Sequence, residues 1–186
     1  MINRALFLDR DGVINADRGY VYRICDFEFI EGIFDLCNWF QKRGFLIIVA
    51  TNQAGIGRGY YSEQEFLSLT AWMNRQFASH GITITHTYYC PFHPEHGIGN
   101  YRADSFNRKP NPGMILTARD DYELDLANSI LIGDKESDIT AGLTASIGTT
   151  ILMANVSGNI LPMTNASLVA QSLLEIPKRL EAYLST

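Results

Sequence analysis

Cysteine, positive charge and long apolar runs are all scarce in this 186-residue chain. No apolar stretch approaches the roughly 18 residues that a membrane-spanning helix needs, and the run at residues 45–50 is only strand-sized. Residues 5–8, the apolar stretch ahead of Asp9, are too short for a secretory core. Cys25, Cys37 and Cys90 are odd in number and widely spaced, which is no disulfide framework. They read as reduced thiols of a cytoplasmic protein, with Cys25 and Cys37 as small buried hydrophobes. Lys plus Arg is 15 against 20 for Asp plus Glu, a net charge of −5. With no basic stripe, a nucleic-acid partner is not expected. Hydrophobic residues make up 46% and charged residues 19%, the balance of a folded chain and not of a disordered one. The length suits one domain at roughly 150 residues per domain, large enough to bury about 70% of its unfolded surface.

What is present is an alternation of short apolar runs with longer helical periods. Residues 4–8 and 45–50 read as strands, the second covered on both faces. Residues 31–43 carry Ile33, Phe34, Leu36, Cys37 and Phe40 at helical spacing ahead of the stop signal Gly44. Ser62-Glu63-Gln64-Glu65 is a capping box opening a helix to about Ser79. Further strands are expected at 83–90, 129–132 and 150–153. Further helices are expected from Asn111-Pro112, with Asn as cap and Pro in the first turn, at 136–145 and at 172–184. Such β–α alternation implies a parallel sheet with helices on both faces. Residues 91–109 form a long stretch without period, the kind of loop that is commonly functional. Gly55-Ile56-Gly57-Arg58-Gly59 lacks any nucleotide-loop context and reads as a flexible turn, with Arg58 as a candidate phosphate contact. Phe27, Phe29, Phe34, Trp39 and Phe40 read as core.

Polar clusters follow three of the strands: Asp9-Arg10-Asp11-Gly12, Thr51-Asn52-Gln53 and Gly133-Asp134-Lys135-Glu136-Ser137-Asp138. In an open α/β sheet such ends meet in one crevice. Of Asp9 and Asp11, one carboxylate can attack an electrophile while the other moves a proton. Asp134 and Asp138 are four apart, so a helix starting near Asp134 puts both on one face. Four carboxylates in one crevice repel, and a divalent cation such as Mg²⁺ relieves that repulsion. Thr51 and Lys109 can hold a phosphoryl group, one by neutral hydrogen bonds and one by charge.

The motifs Phe7-Leu8-Asp9-Arg10-Asp11-Gly12-Val13-Ile14-Asn15, Val49-Ala50-Thr51-Asn52-Gln53, Arg108-Lys109-Pro110, and Gly133-Asp134 with Asp138 resemble, in this order, the haloacid dehalogenase (HAD) superfamily of phosphatases. Asp17-Arg18-Gly19-Tyr20, Phe27-Glu28-Phe29 and Tyr88-Tyr89-Cys90-Pro91 are similar to its D-glycero-D-manno-heptose 1,7-bisphosphate 7-phosphatases and their histidinol-phosphatase relatives. The likeness covers residues 4–155. It implies an α/β Rossmann-like three-layer sandwich with a central parallel sheet and little or no cap domain. Residues 1–186 would form one domain, with 91–109 as a substrate-facing lid. By the same resemblance Asp9 is the nucleophile, giving an aspartyl-phosphate, and Asp11 the acid and then base. Mg²⁺ is held by Asp9, the Asp11 carbonyl and Asp134, supported by Asp138 and Lys135. Thr51 and Lys109 stabilise the phosphoryl group. Asp17, Arg18, Gly19, Tyr20, Asn52, Gln53 and Arg108 line the substrate pocket, with Arg108 a fork for a second phosphate.

The implied activity is Mg²⁺-dependent removal of the 7-phosphate from the heptose bisphosphate by a cytoplasmic monomer, in ADP-heptose synthesis for surface polysaccharide. A histidinol-phosphate phosphatase and a catalytically silent binding relative are the alternatives. Many relatives hold a structural Zn²⁺ in the long loop. Only Cys90 is retained here, because Phe92, Ser105 and Asn107 stand at the other ligand positions. Cys90, His93 and His96 are one ligand short of the four that structural zinc takes, so zinc is not expected. Phe92, Tyr101 and Phe106 are expected to pack the loop instead.

Overall fold

The computed structural model describes residues 3–154 and 163–183. The chain enters the middle of a sheet as β1 (Arg4–Leu8), passes through α1 (Ile33–Gln41), and returns as β2 (Phe45–Asn52). Then come the short α2 (Ala54–Gly57), the long α3 (Glu63–Ser79) and β3 (Ile84–Cys90). After the long loop follow α4 (Gly113–Tyr122), β4 (Ile130–Gly133), α5 (Glu136–Thr144), β5 (Thr149–Met153), β6 (Leu168–Ala170) and α6 (Ile176–Tyr183). The strands lie in the order β3-β2-β1-β4-β5-β6 and all pairs are parallel. This is the expected α/β three-layer sandwich. Strand order reverses between β1 and β4, so the crevice beyond the carboxyl ends of these strands is the natural ligand position.

Alternation along each strand divides the core. Leu6, Leu8, Ile47, Val49, Ile130 and Ile132 face α1, α3 and α6, where they meet Leu36, Phe40, Met73, Phe77 and Leu180. Ala5, Phe7, Ile48, Ala50 and Leu131 face the other way, onto Met114, Ile115 and Ala118 of α4 and Ile139 of α5. A third cluster, Ile56, Tyr61 and Phe66 with Tyr22, Tyr89 and Tyr101 against it, lies beside the strand ends.

Several expectations shift. The Ser62 capping box forms: the Ser62 hydroxyl accepts from the Glu65 N–H and Glu65 accepts from the Ser62 N–H. At α4 the cap is Pro112, not Asn111; the Asn111 amide instead donates to the Ser105 carbonyl. The α5 helix begins only at Glu136, so Asp134 is not on a helix face with Asp138 but in the turn before it. The glycine-rich segment after Gln53 is partly a buried helical turn, α2. β6 has only three residues, too few for an alternation to register. The closing helix starts at Ile176 after a 3-10 turn, and Leu184 lies outside the described residues. Of the aromatic set, Phe27 and Phe40 are buried while Phe29, Phe34 and Trp39 pack against the core from its margin. Cys37 and Cys90 are buried, but Cys25 is exposed because it sits in a surface 3-10 turn with no buried residue. Among the described residues no helix is long and apolar enough to cross a membrane.

Phe40 is fully buried and meets Phe45 edge-on at 5.0 Å. Phe40→Ala is expected to lower unfolding stability by about 3–5 kcal/mol, measured by urea titration; a loss below about 1 kcal/mol would contradict this packing.

Candidate active site

The turns after β1, β2 and β4 converge with the end of the long loop. A cavity of about 530 Å³ there is lined by Asp9, Asp11, Asn52, Gln53, Lys109 and Asp138, among others. Asp9 lies one residue past β1, and its N–H donates to the Ile132 carbonyl of the neighbouring strand. Its Oδ1 accepts from the Arg10 N–H at 2.7 Å and faces the Lys109 Nζ at 2.9 Å. The Lys109 ammonium also lies 2.6 Å from Asp138 Oδ1 and donates to the Ala50 carbonyl at 2.7 Å. Asn52 fixes the Lys109 backbone from both sides, donating to its carbonyl at 2.9 Å and accepting from its N–H at 3.0 Å. The Lys109–Pro110 peptide is cis. Burial pushes the Asp9 carboxyl up despite Lys109. Burial alone would lower the Lys109 ammonium, but Asp9 and Asp138 outweigh it and raise it.

Asp9, Asp134 and Asp138 offer carboxylate oxygens within 4.8 Å of one another. Asp134 Oδ1 is buried without a hydrogen-bond partner, and burial together with Asp9 pushes its carboxyl up to about 7. Crowded carboxylates with an unsatisfied oxygen fit a hard divalent cation, which prefers oxygen ligands. Gly12 makes room for this group: at φ +91° it turns the chain, and a Cβ there would stand 2.3 Å from Asp134 Oδ2. Cys90, His93 and His96 do not form a comparable ligand cluster. Asp11 occupies a different environment. Its carboxylate accepts from the Arg10 guanidinium at 2.9 Å, from Asn15 and from Gln53 at 3.0 Å.

Residues 106–175 match a HAD-hydrolase-like family model. The D-glycero-alpha-D-manno-heptose-1,7-bisphosphate 7-phosphatase of Burkholderia mallei is 60% identical over 83% of this chain and 82% of its own. The D-glycero-beta-D-manno-heptose-1,7-bisphosphate 7-phosphatase of Vibrio cholerae is 46% identical over 95% and 96%. The chain belongs to the HAD-type heptose-bisphosphate phosphatase family. Its fold is similar to that of a protein from Mesorhizobium loti described as a HAD-like phosphatase (TM-score 0.84, 29% identity, 97% of this chain and 85% of that one). It is also similar to that of the D,D-heptose 1,7-bisphosphate phosphatase of B. bronchiseptica, solved with magnesium and phosphate (TM-score 0.79, 24% identity, 97% and 99%).

In this HAD-family chain the expected pocket residues separate into two groups. Asp17, Gly19, Tyr20, Asn52, Gln53 and Arg108 line the cavity, as does Lys135, which was expected to support the metal. Lys135 lies 3.1 Å from Asp17 and 3.4 Å from Asp134, tying the substrate side to the acidic side. Arg18 does not line it; its guanidinium pairs with Glu28 on the exposed surface. Thr51 is buried beneath the cavity, its hydroxyl accepting from the Gln53 amide at 3.0 Å. Tyr61 and Ser137 line the cavity and were missed. Ser137 stood inside a motif already singled out, whereas Tyr61 had no marker separating it from core aromatics. Arg58 stacks towards the Tyr20 ring, 5.9 Å from its centroid. The long loop is fastened at several points. Tyr101 of the loop and Tyr89 of β3 donate to Glu63 at 2.7 and 3.1 Å, and the Ile98 N–H donates to the Gly57 carbonyl. Phe92 and Tyr101 pack at 5.9 Å, but Phe106 is 62% exposed and takes no part.

Lys109→Met would leave two buried carboxylates without their cation, a loss of about 3–5 kcal/mol at pH 7. In chelator the deficit is expected to shrink on acidification. Asp9 is already raised above 3.8, so the folded state binds protons more readily than the unfolded one, and stability is lost as pH rises through that range. Urea titrations at several pH values would show this; a deficit independent of pH would contradict it.

Proposed function

We propose that the protein is a Mg²⁺-dependent phosphatase that removes the 7-phosphate of D-glycero-D-manno-heptose 1,7-bisphosphate. The observation that carries this reading is the joining of Asp9, Lys109 and Asp138 at one cavity, with an Asp134 oxygen within 4.8 Å of those of Asp9 and Asp138, in a chain 60% identical over most of its length to a phosphatase named for that substrate. With Asp9 Oδ1 held by the Arg10 N–H and Lys109, Oδ2 is the oxygen that attacks the phosphorus and carries the aspartyl-phosphate. Asp11 delivers a proton to the departing sugar oxygen and then takes one from the hydrolytic water. Lys109, 2.9 Å from Asp9 Oδ1, orients Asp9 and contributes charge that stabilises the phosphoryl group. Asp9, Asp134 and the Asp11 carbonyl would hold Mg²⁺, with Asp138 and Lys135 in support; the ion supplies charge neutralisation at the phosphoryl oxygens. The Thr51 hydroxyl accepts from Gln53, so its own proton is left to donate to a phosphoryl oxygen. Asp17, Gly19, Tyr20 and Arg108 face the sugar, and Arg108 answers the second phosphate. Asn52 and Gln53 act chiefly on their protein partners.

The α anomer is the preferred substrate in this reading. Relatives named for it, from B. mallei and Campylobacter jejuni, are 60% and 52% identical, against 46% and 41% for β-named enzymes of V. cholerae and Escherichia coli K12. A histidinol-phosphate substrate is not favoured, since these relatives carry heptose names. The retained acidic site does not favour a silent binding protein either. We take the chain as a single-domain, cytoplasmic monomer with no nucleic-acid or membrane partner, in ADP-heptose synthesis, with residues 91–109 facing the substrate as a lid and without zinc.

Phosphate release from the α and β heptose bisphosphates and from histidinol phosphate tests this. We expect activity that vanishes in chelator and returns with Mg²⁺, with kcat/KM favouring the α anomer by about 100-fold, or about 2.7 kcal/mol of transition-state binding. A β preference would overturn the anomer; a preference for histidinol phosphate would overturn the substrate. Asp9→Asn is expected to abolish turnover with an unchanged circular dichroism spectrum; full activity in that variant would refute the nucleophile.

A further inference from the structure

We propose that Tyr61 is a positioning residue: its hydroxyl locks the Gln53 amide so that the amide's NH₂ end holds Asp11. The inference deepens the proposed phosphatase reading and rests on it.

The geometry is a chain of three contacts. The Tyr61 hydroxyl donates to Gln53 Oε1 at 2.6 Å. Gln53 Nε2 donates to Asp11 Oδ2 at 3.0 Å and to Thr51 Oγ1 at 3.0 Å. Gln53 is 2% exposed, so water does not readily replace a lost partner. A carboxylate only accepts hydrogen bonds, and a phenol can donate or accept. Asp11 therefore requires the NH₂ end of the amide, and the oxygen end must then find a donor, which among the described residues a protonated Tyr61 supplies. Burial pushes the Tyr61 phenol up to about 12, which keeps that proton in place at neutral pH. Without the hydroxyl the amide loses the bond that distinguishes its two ends. Rotated by half a turn, it would set a carbonyl oxygen against the Asp11 carboxylate and withdraw its proton from Thr51.

The surroundings hold Tyr61 for this purpose. Its ring stacks on Tyr22, centroids 5.1 Å apart and planes 7° from parallel. Gly55 lies close against the ring, where a Cβ would stand 2.2 Å from Cε1. The ring cannot shift towards α2, so the hydroxyl stays aimed at Gln53. Tyr61 thus acts through Gln53 on the residue that moves the proton, without itself meeting the reacting atoms.

Proton delivery matters most when the leaving group is a basic alkoxide and least when it is p-nitrophenolate. Tyr61→Phe keeps the ring and its stacking and removes only the donor. We expect kcat/KM for heptose bisphosphate and for β-glycerophosphate to fall about tenfold, and that for p-nitrophenyl phosphate to fall several-fold less. On a Gln53→Ala background the same change should cost less than twofold, because the intermediary is gone. Equal losses on alkyl and aryl phosphates, or an undiminished loss on the Gln53→Ala background, would overturn the lock. Urea titration of Tyr61→Phe separates both results from unfolding. A wild type active on β-glycerophosphate but not on heptose bisphosphate would refute the substrate reading alone, and the alkyl-to-aryl comparison still decides the lock.

Discussion

The Lys109 ammonium is buried with two carboxylates and one carbonyl around it, and the site around it depends on this contact. Taking three charges out of water is costly, and their attraction offsets the cost only with accurate geometry. That accuracy comes from the backbone. Ala50 belongs to β2, Asp9 follows β1 directly, and Asp138 lies in the first turn of α5, where it also caps the helix by accepting from the Lys135 N–H. Lys109 comes from a loop, so its place needs a separate device, and the Asn52 amide provides it by bonding both the N–H and the carbonyl of that residue. The parallel order of β2, β1 and β4 thus converts three sequence-distant clusters into one charge cluster.

One cation does not balance the cluster. Asp134 adds a third carboxylate near Asp9 and Asp138, and like charges about 4 Å apart repel by about 4 kcal/mol even at an effective dielectric of 20. Lys135 answers Asp134 from the solvent side, half exposed and shared with Asp17, so it does not cancel the repulsion. Burial first, and then the Asp9 and Asp138 charges, raise the Asp134 carboxyl. A doubly charged cation among these oxygens would turn an anionic pocket into one that receives a phosphate. The Arg10–Asp11 pair lies outside this balance, internally neutral and fixed by Asn15 and Gln53.

The sequence made the strand ends legible because buried parallel strands are continuous apolar runs, and polar residues immediately after them stand out. Asp9, Thr51 and Asp134 stand out in this way as residues that follow a strand core. What it did not display is how side chains are shared. Asn52 and Gln53 read as substrate contacts and line the cavity, and their amides also bond Lys109, Asp11 and Thr51. Arg18 sits between two pocket residues in sequence and points outward to Glu28, a consequence of turn conformation that no periodicity encodes. Tyr61 was hidden for another reason: an aromatic with both a packing face and a polar tip looks like core until its hydroxyl has a partner.

The long loop shows how such a segment is held by ordinary polar contacts. Glu63 is the first residue of α3, where the helix dipole favours a negative charge. It accepts from Tyr101 and Tyr89 at once, bridging the loop to the strand that precedes it. Phenols donating to a carboxylate make charge-assisted bonds, stronger than neutral ones. The bond to Glu63 accordingly raises the Tyr101 phenol. The fastening reaches the pocket through Phe92, whose ring packs on Tyr101 and whose carbonyl accepts from the Arg108 guanidinium at 3.2 Å. Arg108 is in turn the residue before Lys109. The charge at the helix start, the aromatic pair in the loop and the guanidinium at the cavity wall therefore form one continuous path, ending beside the buried ammonium.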